Sequence, residues 1–145
     1  MYTVKTLSFN IKTKGNASIN NITGDIQSLL TSAGFEEGSA LIFVVGSTAG
    51  VTTIEYEPGL LKDYPSFFEK IIPSNQRYHH DDTWHDGNGH SHVRASLQGA
   101  SFTVPFSKRR LLLGTWQQII LVDFDIHPRN REIIVQLSGN KKNEN

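Results

Sequence analysis

Five of the six histidines lie in one short stretch of the chain, from His79 to His92. Three aspartates, Asp81, Asp82 and Asp86, are interspersed with them. Neutral imidazole and carboxylate groups are ligands that divalent metals such as zinc, manganese or iron accept in proteins. The stretch therefore predicts a site for a divalent metal, with zinc as the preferred identity.

The sharpest pair in this stretch is His90 and His92, which a single residue separates. On an extended segment, side chains two residues apart point to the same side, so both rings could hold one ion. His80 is the expected third ligand, because the loop between it and the pair can fold back. His85 could be a further ligand or a proton shuttle. The alternative is a polar loop whose histidines are merely exposed or hydrogen-bonded.

Asp81 and Glu55 are candidates for a catalytic carboxylate. Asp81 adjoins His80 and could ligate the metal, orient an imidazole through its N–H, or form a turn. Asp86 is interpreted as a turn residue. Glu55 lies in a strand that is otherwise apolar and rich in threonine, and it could be a general base or a ligand. The alternative for Glu55 is a solvated strand face, since Glu57 lies on the same side.

Three other segments carry groups that could bind a small substrate. Ser47 and Thr48 follow an apolar strand, in a turn that could hold a phosphate or carboxylate or could be an ordinary hairpin turn. Arg110 could clamp an anion bidentately or belong to a charged turn. Trp116 could stack on a flat ring while Gln117 bonds the edge of that ring. The alternative is a core tryptophan with a satisfied indole N–H.

Composition and charge limit the classes of protein to which the chain can belong. Its 145 residues predict one domain, 1–145, with a core that needs no staples. Basic and acidic residues number 14 each, and a net charge of zero argues against nucleic-acid or membrane binding and suits a stable oligomer. The absence of cysteine excludes thiolate ligands. Short apolar runs and the lack of a signal core predict a cytoplasmic protein.

The elements that must position these groups are predicted to form an α+β domain with a mostly antiparallel sheet. Helices are expected at 23–33, with Thr23 as N-cap and Gly34 as the stop, and at 60–72. The strand at 40–45 is expected to be covered on both faces, the histidine-rich stretch to be a loop, and 139–145 to be a frayed tail. Candidates for about eight strands are 7–12, 17–21, 40–45, 51–57, 93–97, 102–106, 111–113, 117–125 and 132–137.

Two motifs form a fairly specific combination: Ser-His-Val-Arg-Ala-Ser at 91–96 and Gly-Thr-Trp-Gln at 114–117. Together with shorter matches, they resemble the YjbQ family of small proteins, often labelled secondary thiamine-phosphate synthase enzymes. The resemblance extends from about Thr6 to Gly139. The shorter matches are 21–23, 52–55, 78–81, 104–105 and Arg110.

The resemblance implies a homotrimer with a mixed sheet and a cleft near the histidines at a subunit boundary. It also implies a weak link to thiamine phosphate formation, and substrate-binding roles for Arg94, Ser96 and Thr115, which lie in the matching motifs. Two positions depart from the family pattern. Gly46 stands where the family usually carries a histidine, and Arg109 stands where it carries a glycine.

These features together predict a metal-dependent enzyme that acts on a small phosphorylated or heteroaromatic substrate. His80, His90 and His92 are its expected metal ligands. The alternatives are a non-catalytic protein that binds metal or a small ligand, and an assembly protein whose histidines lie at a subunit contact.

Overall fold

A computed structural model describes residues 1–141, which form two antiparallel sheets and four helices. In chain order the elements are β1 Tyr2–Lys12, β2 Ser18–Asn21, α1 Thr23–Ala33, β3 Phe35–Val45, β4 Ala49–Glu55, α2 Pro58–Ile71, α3 His79–Trp84, α4 Gly89–Gln98, β5 Ser101–Ser107, β6 Arg110–Leu111, β7 Gln117–Asp123 and β8 Asn130–Lys141. The predicted α+β class with mostly antiparallel strands is confirmed, but with four helices instead of two. Within residues 1–141, no helix combines the length and apolar character of a membrane span.

The larger sheet has five strands in the order β1-β8-β3-β5-β6, and the smaller has three in the order β2-β7-β4. Every strand pair that the structure describes is antiparallel. β8 is the longest strand and pairs along nearly its whole length with both β1 and β3. The long strand therefore forms the centre of the fold, between the first strand of the chain and the third.

Strand β7 is buried on both of its faces, which explains its continuous apolar run. Ile119 and Leu121 pack into the main core with the larger sheet, whereas Ile120 and Val122 pack into a second core with Phe68 of α2 and with α4. All four of these strand residues are fully buried. The smaller sheet is therefore a middle layer between the larger sheet and helices α2 and α4.

Strand β3 alternates between a buried and an exposed face. Ala40, Ile42 and Val44 are fully buried, whereas the side chains between and after them lie on the outer face of the larger sheet. Leu41, Phe43 and Val45 are 37%, 40% and 44% exposed. The prediction that this strand is covered on both faces was wrong, because no other element within residues 1–141 packs on its outer side.

Several predicted boundaries need correction. Thr23 begins α1 but does not cap it, because its hydroxyl accepts a hydrogen bond from the Ile119 N–H at 2.7 Å instead. Gly34 ends the helix in the left-handed conformation, with φ of 74°, as predicted. Residues 139–141 are not a frayed tail but the end of β8; the predicted tail's remaining residues, 142–145, lie outside the described residues.

Candidate functional site

The histidine-rich stretch is helical, not a loop followed by a strand, and this changes which histidines lie together. His90 and His92 both belong to α4, where residues two apart point to nearly opposite sides. His90 is 6% exposed and its ring centroid lies 6.2 Å from that of Tyr78. The ring of His92 lies 4.2 Å from that of His80 instead. The geometric reason for pairing His90 with His92 was therefore wrong.

Close packing of α3 against α4 fixes this arrangement. The carboxylate of Asp81 accepts a hydrogen bond from the Gly89 N–H at 3.0 Å, where α4 begins with its amides unpaired. A Cβ at Gly89 would lie 2.4 Å from the Cβ of Tyr78, so glycine is required for this approach. Asp81, predicted as a catalytic carboxylate, thus contributes to positioning α4. His85 ends α3 in the left-handed conformation and is exposed.

A cluster of polar side chains surrounds His80. Its Nε2 atom lies 3.3 Å from Asp86 Oδ1 and 3.1 Å from the side-chain amide of Asn88. Asn88 is buried and its amide donates to Asp125 Oδ1 at 3.3 Å. Burial, and then the electrostatic effect of the neighbouring His80 ring, lower the pKa of His92 below its ordinary value. His92 is therefore neutral at pH 7, the state in which an imidazole can ligate a metal or accept a proton.

The side chains around His80 include groups that can ligate a metal ion. The 3.3 Å between His80 Nε2 and Asp86 Oδ1 is a separation that two ligands of one tetrahedral zinc ion can have. Two imidazoles on one tetrahedral ion have centroids about 5 Å apart, so the rings of His80 and His92 must separate by about 1 Å. No group of three or more metal-binding side chains is already converged within residues 1–141. The two imidazoles and the carboxylate are suitable ligands for zinc once the rings of His80 and His92 have moved apart by this distance.

A buried ionic network forms the floor beside His92. The carboxylate of Asp123, fully buried, accepts from Arg131 Nε at 2.7 Å and Nη2 at 2.9 Å. Arg131 Nη2 also donates to the Thr48 hydroxyl at 2.6 Å, which in turn donates to Asp125 at 3.0 Å. Arg129 Nε donates to Asp125 as well, at 3.0 Å. Burial alone would raise the pKa of Asp125, but these hydrogen bonds and the Ile126 N–H outweigh it and the pKa is lowered.

Above this network lie two adjoining recesses of about 330 and 400 Å³. Both are lined by Gly46, Ser47 and His92, and the smaller one also by Arg129 and Arg131. A Cβ at Gly46 would lie 2.6 Å from Arg131 Nη1, so the guanidinium fills the space of a side chain at that position. Within the described residues Nη1 donates no hydrogen bond, which leaves it available to a ligand in the recess. We call the two adjoining recesses, together with the neighbouring side chains of His80, Asp86 and Asn88, the histidine recess.

The structure separates the residues predicted for one site into three places. Ser47 and Ser96 line the histidine recess, and Thr48 lies beneath it with its hydroxyl already bonded. Arg110 is exposed in β6 and lines none of the recesses described here. A separate recess lies at the end of β4 that is farthest from the histidines. Gln117 is next to this recess and donates a hydrogen bond to the Thr53 hydroxyl. That recess is lined by Glu55, Thr115 and Trp116 together with other side chains.

Arg94, predicted to bind substrate, is committed to holding α4 against the end of α2. Its side chain is buried, donates from Nε and Nη2 to the Ile72 carbonyl at 3.0 and 2.8 Å, and pairs with Glu69 at 2.7 Å. The Ser74 N–H first, then Arg94 and the Ser74 hydroxyl, lower the pKa of Glu69 from 4.5 to about 2. The carboxylate of Glu69 therefore stabilises the folded state only while it is charged.

This pair predicts a loss of stability in acid. Because the folded pKa of Glu69 is depressed, its contribution is complete above pH 4.5 and is lost as the pH falls towards 2. The side chain of Glu69 is 51% exposed, so the expected effect is only about 1 kcal/mol. Urea unfolding at pH 7 and at pH 3 measures it. At pH 7 the free energy of unfolding of Glu69→Gln should be lower than that of the wild type by about this amount, and at pH 3 the difference should be smaller. An equal difference at both pH values would contradict the prediction.

The residues that form the floor of the recess were not predicted from the sequence. Asp123 ends β7, Asp125 and Arg129 lie between β7 and β8, and Arg131 is the second residue of β8. Only strands at 117–125 and 132–137 were predicted for this segment. The available signal was an Asp-x-Asp at the end of the most apolar strand, followed by Arg-x-Arg after the turn. Alternating charges of opposite sign beside a fully buried strand indicate an ion-pair network, because buried charges must be paired.

Comparison with known proteins gives a consistent result. The profile of the family described as UPF0047 protein YjbQ-like matches residues 7–140. A UPF0047 protein of Archaeoglobus fulgidus is 35% identical over 130 residues, covering 90% of this chain and 98% of that protein. One of Methanocaldococcus jannaschii is 35% identical over 143 residues, covering 97% and 100%. The crystal structure of a YbjQ-like protein of unknown function from Sulfolobus solfataricus P2 superimposes with a TM-score of 0.91 at 28% identity, over 97% of this chain and 100% of that one.

Proposed function

The chain belongs to the UPF0047 family of YjbQ-like proteins, and from the recess that its fold builds we propose a metal-dependent enzyme acting on a small phosphorylated substrate. One observation carries the proposal. The neutral imidazole of His92 and the unpaired Nη1 of Arg131 line the same recess, and the ring of His80 lies against that of His92 with the centroids 4.2 Å apart. A group able to ligate or move a proton and a group able to hold an anion thus lie side by side.

The residues of the recess divide into two roles. Arg131 Nη1, the outer nitrogens of Arg129 and the hydroxyl of Ser47 are placed to hold the oxygens of a phosphate or carboxylate. His80, His92 and Asp86 would hold the metal, and Asp86 takes the place expected for His90. A bound divalent ion would polarise a phosphoryl oxygen or lower the pKa of a water molecule.

While no metal is bound, His92 is the group in the recess best placed to accept a proton. Its lowered pKa keeps a lone pair available at neutral pH. Asp125 stays ionised behind the arginines, because its pKa is also lowered, and it holds Thr48, Asn88 and Arg129 in position. The chain thus provides a metal ligand and an anion clamp on rigid elements, which is what a substrate of a few hundred Å³ needs for orientation.

A second function, binding of a small anion without metal or catalysis, is favoured by one specific feature. The ring centroids of His80 and His92 are closer together than those of two imidazoles that bind one ion, and no converged group of three ligands is present within residues 1–141. Removing metal separates the two functions. A metal-dependent enzyme loses its activity with the ion, whereas an anion-binding protein keeps its affinity for inorganic phosphate.

The metal prediction is tested by titration. Untagged protein, first stripped with chelator, should bind one zinc ion per chain in isothermal titration calorimetry. His92→Ala should weaken binding by roughly 100-fold or more, since even outer partners of ligands contribute 10- to 100-fold. His79→Ala is the matched control, because that side chain is 99% exposed, and it should change affinity less than about twofold. Equal affinity in the His92 and His79 variants would rule out the proposed ligand set.

Assembly as a homotrimer is also expected, and the outer face of the larger sheet supports it. Leu41, Phe43 and Val45 form an exposed apolar row there, next to Ile134 on β8, and the chain has no net charge to oppose association. Light scattering after size exclusion should give three copies for the wild type. Phe43→Asp should give a lower mass. Thr103 is a polar residue on the same outer face of the larger sheet, and Thr103→Asp should change the mass less. A monomeric wild type would contradict the expectation.

The thiamine-phosphate-synthase-like activity that the family label suggests stays a prediction for this chain. It is assayed directly as formation of thiamine phosphate by the purified protein, with His80→Ala/His92→Ala as the negative control. Equal product from the wild type and the double variant would assign the activity to a contaminant. No link between the histidine recess and a heteroaromatic ring is visible, because Trp116 lies at the other end of β4.

A further inference from the structure

A second recess, of about 380 Å³, lies at the end of the smaller sheet that is farthest from the histidines. We call it the Trp116 recess; its walls are Trp116, Tyr56, Glu55 and Glu57, with Asn21, Thr115 and Gln118 at the edge. Ala49 lines the histidine recess and Glu55 lines this one, and six residues of β-strand span about 20 Å. A small molecule cannot touch both, so the second recess needs its own explanation.

Two aromatic side chains are exposed here, and that of Trp116 is carried by a loop that hydrogen bonds hold in place. Trp116 is 72% exposed and Tyr56 40% exposed. The loop before β7 is fixed by Gln117, whose side chain accepts from the Gly114 N–H at 3.0 Å and donates to Thr53 at 3.0 Å. A loop tied down in this way does not need the indole for its own stability. The exposed indole is therefore available to a ligand.

The charge around these rings is negative. The carboxylate of Glu57 is fixed, because it accepts from the N–H groups of Gly59 at 2.8 Å and Leu60 at 2.6 Å at the start of α2. The carboxylate of Glu55 is exposed and makes no hydrogen bond or ion pair within residues 1–141. The residues that line the recess include no lysine or arginine. A negative potential beside the face of an indole favours a cation, and the flat ring favours a flat one.

We propose that the Trp116 recess binds a flat organic cation, with its ring against Trp116 and its charge beside Glu55. Tyr56 forms the second aromatic wall. Gln118 lies at the edge of the recess, where its side-chain amide is fixed because it accepts from Asn21 at 3.1 Å and donates to the Gln117 carbonyl at 3.0 Å. This site takes a positively charged ligand, whereas the histidine recess takes an anion, so the inference does not depend on the proposed function.

The fluorescence of Trp116 reports on this site. The chain has two tryptophans, and Trp84→Phe leaves Trp116 as the single indole. Titration of this variant with N-methylquinolinium should give saturable quenching. Glu55→Gln in the same background should weaken binding roughly five- to tenfold, the size expected for loss of the partner charge at a partly exposed aromatic site. Glu132→Gln, an exposed glutamate on the larger sheet, is the matched control and should leave the affinity unchanged.

Four results would overturn the inference. Neutral quinoline at pH 8 could bind as tightly as the cation, or Glu55→Gln could bind like the control. His92→Ala could abolish probe binding, which would place the probe in the histidine recess. Finally, acrylamide could fail to quench the indole of the free protein, which would mean that another copy of the chain covers this surface.

Discussion

Asp123→Ala is expected to lower the free energy of unfolding by roughly 3–5 kcal/mol, because it leaves the Arg131 guanidinium buried without its main partner. The carboxylate of Asp123 is fully buried and also bonds the Thr13 hydroxyl and the Asp125 N–H. The nearest remaining carboxylate, that of Asp125, lies 3.9 Å from Arg131. Urea unfolding monitored by circular dichroism measures the loss.

An exposed ion pair provides the matched control for Asp123. Glu36 pairs with Arg109 at 3.1 Å, and their side chains are 41% and 39% exposed. Glu36→Ala should therefore cost at most about 1 kcal/mol. Similar losses for the two variants would show that the network around Arg131 is solvated and not the rigid floor described above.

A double variant separates the stabilising role of the network from its role in binding. Asp123→Leu/Arg131→Met replaces the buried pair with apolar groups, and such exchanges are often neutral in stability. We expect this variant to fold but to lose affinity for inorganic phosphate by at least tenfold, because Arg131 Nη1 is the buried donor that faces the recess. Unchanged phosphate affinity in a folded double variant would assign the anion site to other residues.

The strands were predictable from the sequence because their signal is local. Alternation at Leu7, Phe9 and Ile11 predicts β1 without reference to any other segment, and the apolar run of β7 predicts burial. The helices α3 and α4 were not predictable in this way. Their histidine, aspartate, asparagine and glycine content is typical of loops, and α4 forms through contacts with Tyr78, Ile72 and Glu69, which are distant in sequence.

The sequence indicated which types of residue the site contains, but not how they are arranged. The clustering of histidines predicted that some of their rings lie together, and those of His80 and His92 do. Which histidines lie together depends on the conformation of α4. On an extended backbone His90 and His92 would point to the same side, whereas on the helix they point to nearly opposite sides. The arginines Arg129 and Arg131 enter through a strand at the opposite end of the chain, so no spacing rule could bring them to Gly46.

Gly38→Ala is expected to prevent folding or to cost more than about 4 kcal/mol, the largest effect of any single methyl group considered for this chain. Gly38 of β3 and Gly139 of β8 face each other, and the two backbones approach closely at this point. A Cβ at Gly38 would lie 2.0 Å from the Ser138 carbonyl oxygen and 2.7 Å from the Gly139 Cα. Both obstacles are backbone atoms of the central strand pair, so no side-chain rotation relieves them.

The matched control for Gly38 is Gly24, in the first turn of α1. A Cβ there meets nothing within 4 Å, so Gly24→Ala should stabilise the fold by about 0.5–1 kcal/mol through lower entropy of the unfolded chain. Soluble expression, followed by urea unfolding, compares the two variants. If Gly38→Ala folds as stably as Gly24→Ala, then β3 and β8 do not pair through Gly38 and Gly139. The register that places Arg131 beside Gly46 would then be wrong as well, since both contacts belong to the same strand pair.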